Sequence, residues 1–259
     1  MIEDLNNKSA NAPLGVGVNI FGRIWALWGL ITFFITFIIV FLPSMLSHLM
    51  DDPKGQRYFI AVSKVWMNVW LFLVGCPVKV SGKENFKPGV AYIVVFNHNA
   101  LLDVPLSAPY VPGANKTIAK ASFAKIPLFG SFYSRGSVLV DRKNDKSRSK
   151  SFDAMKKVLA AGMHMCIYPE GARNRSSEPI KPFYDGAFKL AVTTKKDIIP
   201  CVIIGTKKAM PINKKFYLLP VPLKMHFLPA VSSSDTTVSS LKEKVFNAML
   251  EDYVEGIRN

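Results

Sequence analysis

The sequence predicts an α/β protein, a β-sheet with helices on its faces, preceded by a hydrophobic two-helix segment. Three observations carry this expectation. After Pro77, short apolar runs rich in β-branched residues alternate with helical patterns, which is how an α/β sheet reads along a chain. Before Pro77, the 19 residues from Ile24 to Leu42 contain no charge. Apolar and basic residues are also segregated, since mean hydropathy is +0.20 in spite of a net charge of +15.

The segregation is visible in counts. Residues 1–80 carry six basic and four acidic side chains, whereas residues 81–259 carry 27 and 14. A length of 259 residues suits one large domain or two small ones, and 49% apolar residues exclude a disordered or collagen-like chain. The positive charge implies an acidic partner: nucleic acid, an anionic membrane, a phosphorylated substrate or an acidic protein.

The N-terminal elements come first. Ile24–Leu42 (IWALWGLITFFITFIIVFL) would span about 28 Å as a helix, close to the hydrocarbon thickness of a bilayer. It begins too late and runs too long for the apolar region of a cleaved signal peptide. The stretch Val65–Gly75 has 11 residues and suits an interfacial or re-entrant helix. Asp52-Pro53-Lys54-Gly55 supplies the turn between them. All four tryptophans, Trp25, Trp28, Trp66 and Trp70, fall in these two stretches. They read as interfacial anchors rather than as residues of buried core helices. Flanking basic residues (Lys8 and Arg23 before; Lys54, Arg57 and Lys64 after) are too balanced to set an orientation.

Strands are expected at Val78–Ser81, Ala91–Phe96, Ser137–Val140, His164–Tyr168 and Ile198–Ile204. The clearest helix runs from about Ser147 to Ala161, with Phe152, Met155, Val158 and Leu159 on one face and Gly162 as its C-cap. Others cover Asp185–Thr194 and roughly Val238–Gly256, where Leu241, Val245, Met249 and Tyr253 share a face. Residues 1–77 are thus expected to anchor the chain and 78–259 to form the α/β domain.

Cys76, Cys166 and Cys201 form no CxxC pair and have apolar neighbours, as buried free thiols do in a reducing compartment. Cys166 lies two residues from His164, on the same face of a strand, so a Cys/His nucleophile stays open. His98 stands apart from the other three histidines. It lies between Asn97 and Asn99, directly after a buried-type strand, and the carboxyl ends of strands are where open α/β sheets bind ligands. Asp103 can reach His98 if the histidine stands in the turn ahead of a helix. There it would fix the ring tautomer and leave the second nitrogen as a base. Glu170-Gly171-Ala172-Arg173-Asn174-Arg175 also follows a strand. Gly171 permits close backbone approach, and Arg173 and Arg175 offer forked donors suited to phosphate, although a solvated charged loop would look the same. Asp141-Arg142 ends a third strand, as a phosphate contact or a plain salt bridge. Lys120 stands in Ile118-Ala119-Lys120-Ala121 ahead of Ile126-Pro127-Leu128-Phe129-Gly130.

Residues 75–229 resemble the glycerolipid acyltransferases, specifically the bacterial 1-acylglycerol-3-phosphate acyltransferases. His98 to Asp103 looks like the HxxxxD motif, and Lys120 to Gly130 like the lysine-bearing block. Gly136 to Arg142 looks like the second motif, Glu170 to Arg173 like EGTR, and Ile199-Pro200-Cys201-Val202 like the fourth. Five spaced matches in order are more specific than any one alone. The resemblance implies a single acyltransferase domain with a mixed central sheet flanked by helices, behind a two-helix membrane motif. It implies transfer of a fatty acyl group from acyl-CoA or acyl carrier protein to the sn-2 hydroxyl of 1-acylglycerol-3-phosphate. His98 would be the base and Asp103 its orienter. Lys120, Arg142 and Arg173 would hold the acceptor's phosphate, and Glu170 and Gly171 would complete the binding loop.

No metal or cofactor is expected beyond the acyl donor as co-substrate. The expected partners are the lysolipid, the donor and an anionic membrane surface. The expected place is the cytoplasmic membrane, with the catalytic domain on its cytoplasmic face. Four departures from the family pattern leave a lyso-aminolipid open as acceptor: Ala172 for the EGTR threonine, a second arginine at Arg175, an acid at Asp185 before Gly186, and Ser122 where an acid is common. A membrane-tethered anion-binding module without catalysis is the rival from another class. No aromatic-interleaved basic patch or nucleic-acid fold signature supports it.

Overall fold

A computed structural model describes residues 15–141 and 144–258. Helix α1 (Val16–Met45) is followed by a 3-10 turn at Leu46–Leu49 and by α2 (Lys54–Leu73). The second hydrophobic segment is therefore a full 20-residue helix, not the short 11-residue one expected. Its first eleven residues carry Lys54, Gln56, Arg57 and Lys64, which hides it from a search for apolar runs.

α1 packs on α2 through a stripe of small residues, with Ala26, Gly29, Thr32 and Thr36 buried, while the buried Gly22 lies against the Tyr217 ring. Thr32 and Thr36 satisfy their hydroxyls on carbonyls four residues back, at 2.8 and 2.7 Å, which keeps polar groups tolerable in an apolar setting. Two of the tryptophans correct the sequence reading. Trp66 and Trp70 are buried and donate to Thr36 Oγ1 and Gly29 O, both at 2.9 Å. Trp25 and Trp28 donate to Val74 O and Leu73 O, again at 2.9 Å. The last carbonyls of a helix lack partners within it, and these indoles supply them. Trp66 and Trp70 are buried staples between the two helices rather than interfacial anchors, whereas Trp28 bonds α2 while staying 43% exposed. Around the rest of α1, Ile20, Ile24, Ile35, Ile38, Ile39 and Leu42 stay between 54% and 72% exposed.

Beyond Pro77 come β1 (Val78–Ser81), β2 (Ile93–Phe96), α3 (Asp103–Tyr110), β3 (Asn115–Lys120), α4 (Phe129–Arg135), β4 (Ser137–Val140), α5 (Asp145–Ala160) and β5 (His164–Ile167). They are followed by α6 (Gly186–Thr194), β6 (Ile198–Ile204), α7 (Thr206–Ala209), β7 (Leu223–Phe227) and α8 (Val238–Arg258). Among the described residues seven strands form one sheet, in the order β1-β7-β6-β2-β5-β3-β4. β2 to β6 are mutually parallel, while β7 is antiparallel to β6 and parallel to β1. The sheet is mixed, as the resemblance implies. β3 (NKTIAK) and β7 (LKMHF) were not anticipated as strands, because lysine, asparagine and histidine interrupt their apolar positions.

Both faces of the sheet are covered. Val94, Phe96, Cys166, Tyr168, Ile199 and Cys201 join one core with α1, α2 and α3. Ile93, Val95, Met165, Ile167, Ile198 and Val202 join another with α5, α6 and α8. The strict alternation along β2 explains why this strand is apolar throughout. Asp52, in the loop between α1 and α2, binds Arg135 at 2.8 Å and Lys116 at 3.3 Å, which ties the hydrophobic pair to α4 and β3. The parallel arrangement puts the carboxyl ends of β2, β5, β6 and β3 on one edge of the sheet, and the candidate residues lie there.

Candidate active site

β2 ends at Phe96, and Asn97 takes over its pairing. The Asn97 side chain accepts from Ile203 N at 2.7 Å and donates to Ile203 O at 2.9 Å. The chain then turns sharply into α3 around a single oxygen. Asp103 Oδ2 accepts from Asn99 N at 2.6 Å, from Ala100 N at 2.7 Å and from His98 Nδ1 at 2.9 Å. Asp103, the first residue of α3, is fully buried, and the His98 side chain is 15% exposed. A carboxylate oxygen can only accept, so Nδ1 carries the proton and Nε2 keeps its lone pair. His98 does stand in the turn ahead of the helix, the one placement in which a five-residue spacing closes.

β5 supplies the wall beside it. Glu170 is buried with one oxygen on His98 N, at 2.6 Å, and the other on Lys181 N, at 3.1 Å. Burial pushes its pKa up to about 7, the Asp103 charge adds to the rise, and the two backbone N–H groups hold it back. At Gly171 the chain turns with φ +71, a conformation that favours glycine. Asn174 N then donates to His98 O at 2.7 Å, so the β5 loop holds the backbone of His98 at both its N–H and its C=O. Tyr168 packs its ring 4.6 Å from the imidazole, donates its hydroxyl proton to Asp103 O at 2.8 Å and accepts from Ser107 Oγ at 2.7 Å. From the far end of the chain, Tyr253 in α8 reaches Asn99 Nδ2 at 3.4 Å.

The structure brings His98, Asp103, Glu170 and Gly171 together. Arg173 is half-buried on the same loop. Lys120 is exposed at the end of β3, two strands from β2 and so roughly 10 Å away by strand spacing. Arg142 lies outside the described residues. Asn97, Tyr168, Asn174 and Tyr253 went unnoticed as site residues. Asn97 and Asn174 sit beside residues that were noticed, but their role depends on backbone groups that a sequence does not display. A cleft of about 690 Å³ lies away from His98, between β4, α5 and the Asp52 loop.

The alternative nucleophile is removed. Burial pushes the Cys166 thiol up to about 12, so it is not a thiolate near neutral pH. His164 Nδ1 accepts Tyr92 N at 3.0 Å, and burial lowers its pKa to about 4. Both are structural. Among the described residues no three His, Cys, Asp or Glu side chains gather where they could hold a metal.

Comparison with known proteins agrees with this geometry. Residues 77–204 match the model of the family described as Acyltransferase. A 1-acyl-sn-glycerol-3-phosphate acyltransferase of Limnanthes douglasii is 28% identical over 192 residues, 73% of this chain and 66% of that protein. The mouse alpha enzyme of the same name is 29% identical over 71% of this chain and 66% of its own length. The one from Helicobacter pylori is 29% identical over 64% and 71%. The chain thus spans about two thirds of the length of these curated relatives. The crystal structure of the 1-acyl-sn-glycerophosphate acyltransferase PlsC from Thermotoga maritima superposes with a TM-score of 0.78, covering 93% of this chain and 97% of that one at 23% identity, which establishes the shared fold. The matched stretch runs from the residue before β1 to the last residue of β6 and holds every strand end that carries His98, Asp103, Lys120, Glu170 and Arg173, and the chain belongs to the acyltransferase family.

Proposed function

We propose that this acyltransferase moves a fatty acyl group from acyl-CoA or acyl carrier protein to the sn-2 hydroxyl of 1-acylglycerol-3-phosphate, giving phosphatidic acid. The observation that carries the proposal is the 2.9 Å contact from His98 Nδ1 to a buried Asp103, which leaves the Nε2 lone pair to act as a base. The names of the relatives supply the substrate class.

The reaction follows from these groups. Nε2 takes the hydroxyl proton as the oxygen attacks the thioester carbonyl. Asp103 stabilises the imidazolium that forms. The new C–O bond is made, the C–S bond breaks, and the proton passes from His98 to the departing thiolate. An unassisted hydroxyl is a poor nucleophile near neutral pH, and such base assistance is worth roughly 10²–10⁴-fold. Glu170 positions His98 through its backbone N–H. Arg173, with Lys120 and Arg142, holds the phosphate of the acceptor.

The protein works at a membrane surface in this reading. Val16–Leu49 is long and apolar enough to cross a bilayer, and 28% of its most apolar window is buried within the protein, so most of its greasy surface needs another apolar medium. Residues 135–215 carry 18 basic and seven acidic side chains, which suits anionic headgroups and phosphorylated substrates on the cytoplasmic face of the cytoplasmic membrane.

The test is a panel of acceptors and donors presented to the full chain in vesicles. Turnover of lysophosphatidate with either acyl-CoA or acyl carrier protein is the expected result. Acylation of a lyso-aminolipid in its place would reassign the acceptor, because a carboxylate satisfies the same cations. Vesicle binding without any acyl transfer would leave only the anion-binding module.

A further inference from the structure

We propose that Lys207 binds a phosphate group of a substrate, on the side of His98 opposite Lys120. The inference rests on the acyl-transfer reading and extends it to a residue outside every motif of the resemblance. β2 has two neighbours, β5 and β6. Lys120 lies beyond β5, and Lys207 follows β6. The chain reaches Lys207 by turning at Gly205, where φ is +97 and a Cβ would stand 2.5 Å from Pro222 O, so glycine alone fits. The short α7 then returns Lys207 to the edge that holds His98.

Three features set Lys207 apart from the lysines that only solvate the surface. It is half-buried. Its Nζ has one long bond, 3.4 Å to Ser176 O, although an ammonium carries three donors. Among the described residues no ion pair satisfies its charge. Burial accordingly lowers its pKa, against the opposing pull of Glu170.

The contact to Ser176 also joins Lys207 to the catalytic loop. Asn174 is fully buried. Its Oδ1 accepts from Ser176 N and Oγ at 2.9 and 2.6 Å, its Nδ2 donates to Glu178 O at 2.8 Å, and its backbone N–H donates to His98 O. The loop that Lys207 touches is therefore the one that fixes His98. A phosphate arriving there supplies the acceptors and the charge that Lys207 lacks. The acceptor lipid and the CoA or phosphopantetheine arm of the donor both carry that group.

The experiment uses the full chain in vesicles. Amine acetylation at Lys207 is mapped by mass spectrometry with no ligand, with lysophosphatidate and with CoA. KM for each substrate is measured in Lys207→Met and Lys207→Arg, with Lys208→Met, at an exposed neighbour, as control. Expected are protection of Lys207 by one ligand and a rise of about tenfold in the KM of that substrate in K207M. kcat should stay near that of the wild type, and K207R should recover most of the loss. Protection by lysophosphatidate assigns the acceptor's phosphate, and protection by CoA the donor's. Absence of protection by either ligand overturns the proposal, as does a folded K207M with both KM values unmoved and only its thermal midpoint lowered. Protection in a protein that transfers no acyl group overturns the acyl-transfer reading and leaves the phosphate site standing.

Discussion

Among the described residues, two His–Asp pairs have nearly the same length. His98 Nδ1 lies 2.9 Å from Asp103, and His226 Nδ1 lies 2.7 Å from Asp252. Their surroundings differ. His226 sits within β7, its place in the ladder fixed by Ser81 and Val202 on either side. Its side chain is 42% exposed and that of Asp252 20%. His98 stands past the end of its strand, where Glu170 and Asn174 hold its backbone, and Asp103 is fully buried under three donors. The distance alone does not make a site. What separates the pairs is a buried partner, a backbone clamped from a second strand and a free nitrogen at the edge where substrates approach.

The largest effect should come from testing that distinction directly. His98→Ala is expected to lower turnover by roughly 10²–10⁴-fold with vesicle binding unchanged. Steady-state rates against flotation with vesicles measure both. Unchanged turnover would remove His98 from the chemistry and with it the contrast between the pairs.

Glu170 gives a pH test of the clamp. Its folded pKa, about 7, is above its ordinary 4.5. A group raised in this way contributes stability that is fully present below the ordinary pKa and is lost as pH rises through the folded one. Between pH 4.5 and 7 the wild type should lose stability relative to Glu170→Gln, by a few kcal/mol at most. The Gln side chain mimics the neutral acid, so the stability gap between the two proteins should flatten at both ends of that window. Denaturant midpoints of both proteins across the window check this. A gap that does not change with pH would mean that burial does not raise Glu170.

How much of this was legible in the sequence follows from where each signal lies. β1, β4 and β6 were read to the residue, because their apolar runs end at turns. β3 was lost because its inward positions are Asn115, Thr117 and Ala119, which bury well beside other strands but carry little hydropathy. α2 was read short because its exposed face is charged at its start. His98 and Asp103 were visible as a spacing, and the closing of that spacing was conditional on a turn. Asn174 and Tyr253 were not visible as site residues, since one acts through its backbone and the other arrives from 154 positions away in sequence.

Arg173 should show a smaller and more selective effect. It shares the β5 loop with the clamp but contributes no hydrogen bond to His98. Arg173→Ala is expected to raise the acceptor KM about tenfold, the worth of one charged hydrogen bond. The donor KM should scarcely move, and initial rates with each substrate varied in turn separate the two. A shift in the donor KM alone would move Arg173 to the donor side.

The smallest effect belongs to the second pair, and its smallness is what gives the contrast its content. His226→Gln keeps the size and a donor but removes the charge that His226 can carry. Partly exposed ion pairs contribute between nothing and about 1 kcal/mol, so the thermal midpoint should fall by about 2 °C or less in a chain of this size. Turnover should match the wild type at every pH where both are folded. If H226Q lost activity while remaining folded, His226 would have to act on the site through α8, because Asp252 lies one residue before Tyr253, and Tyr253 reaches Asn99 in the His98 turn. That path exists in the structure. A silent H226Q variant would show that it carries no coupling, and that the fold uses the same pair of side chains once for chemistry and once to fasten a helix to a strand.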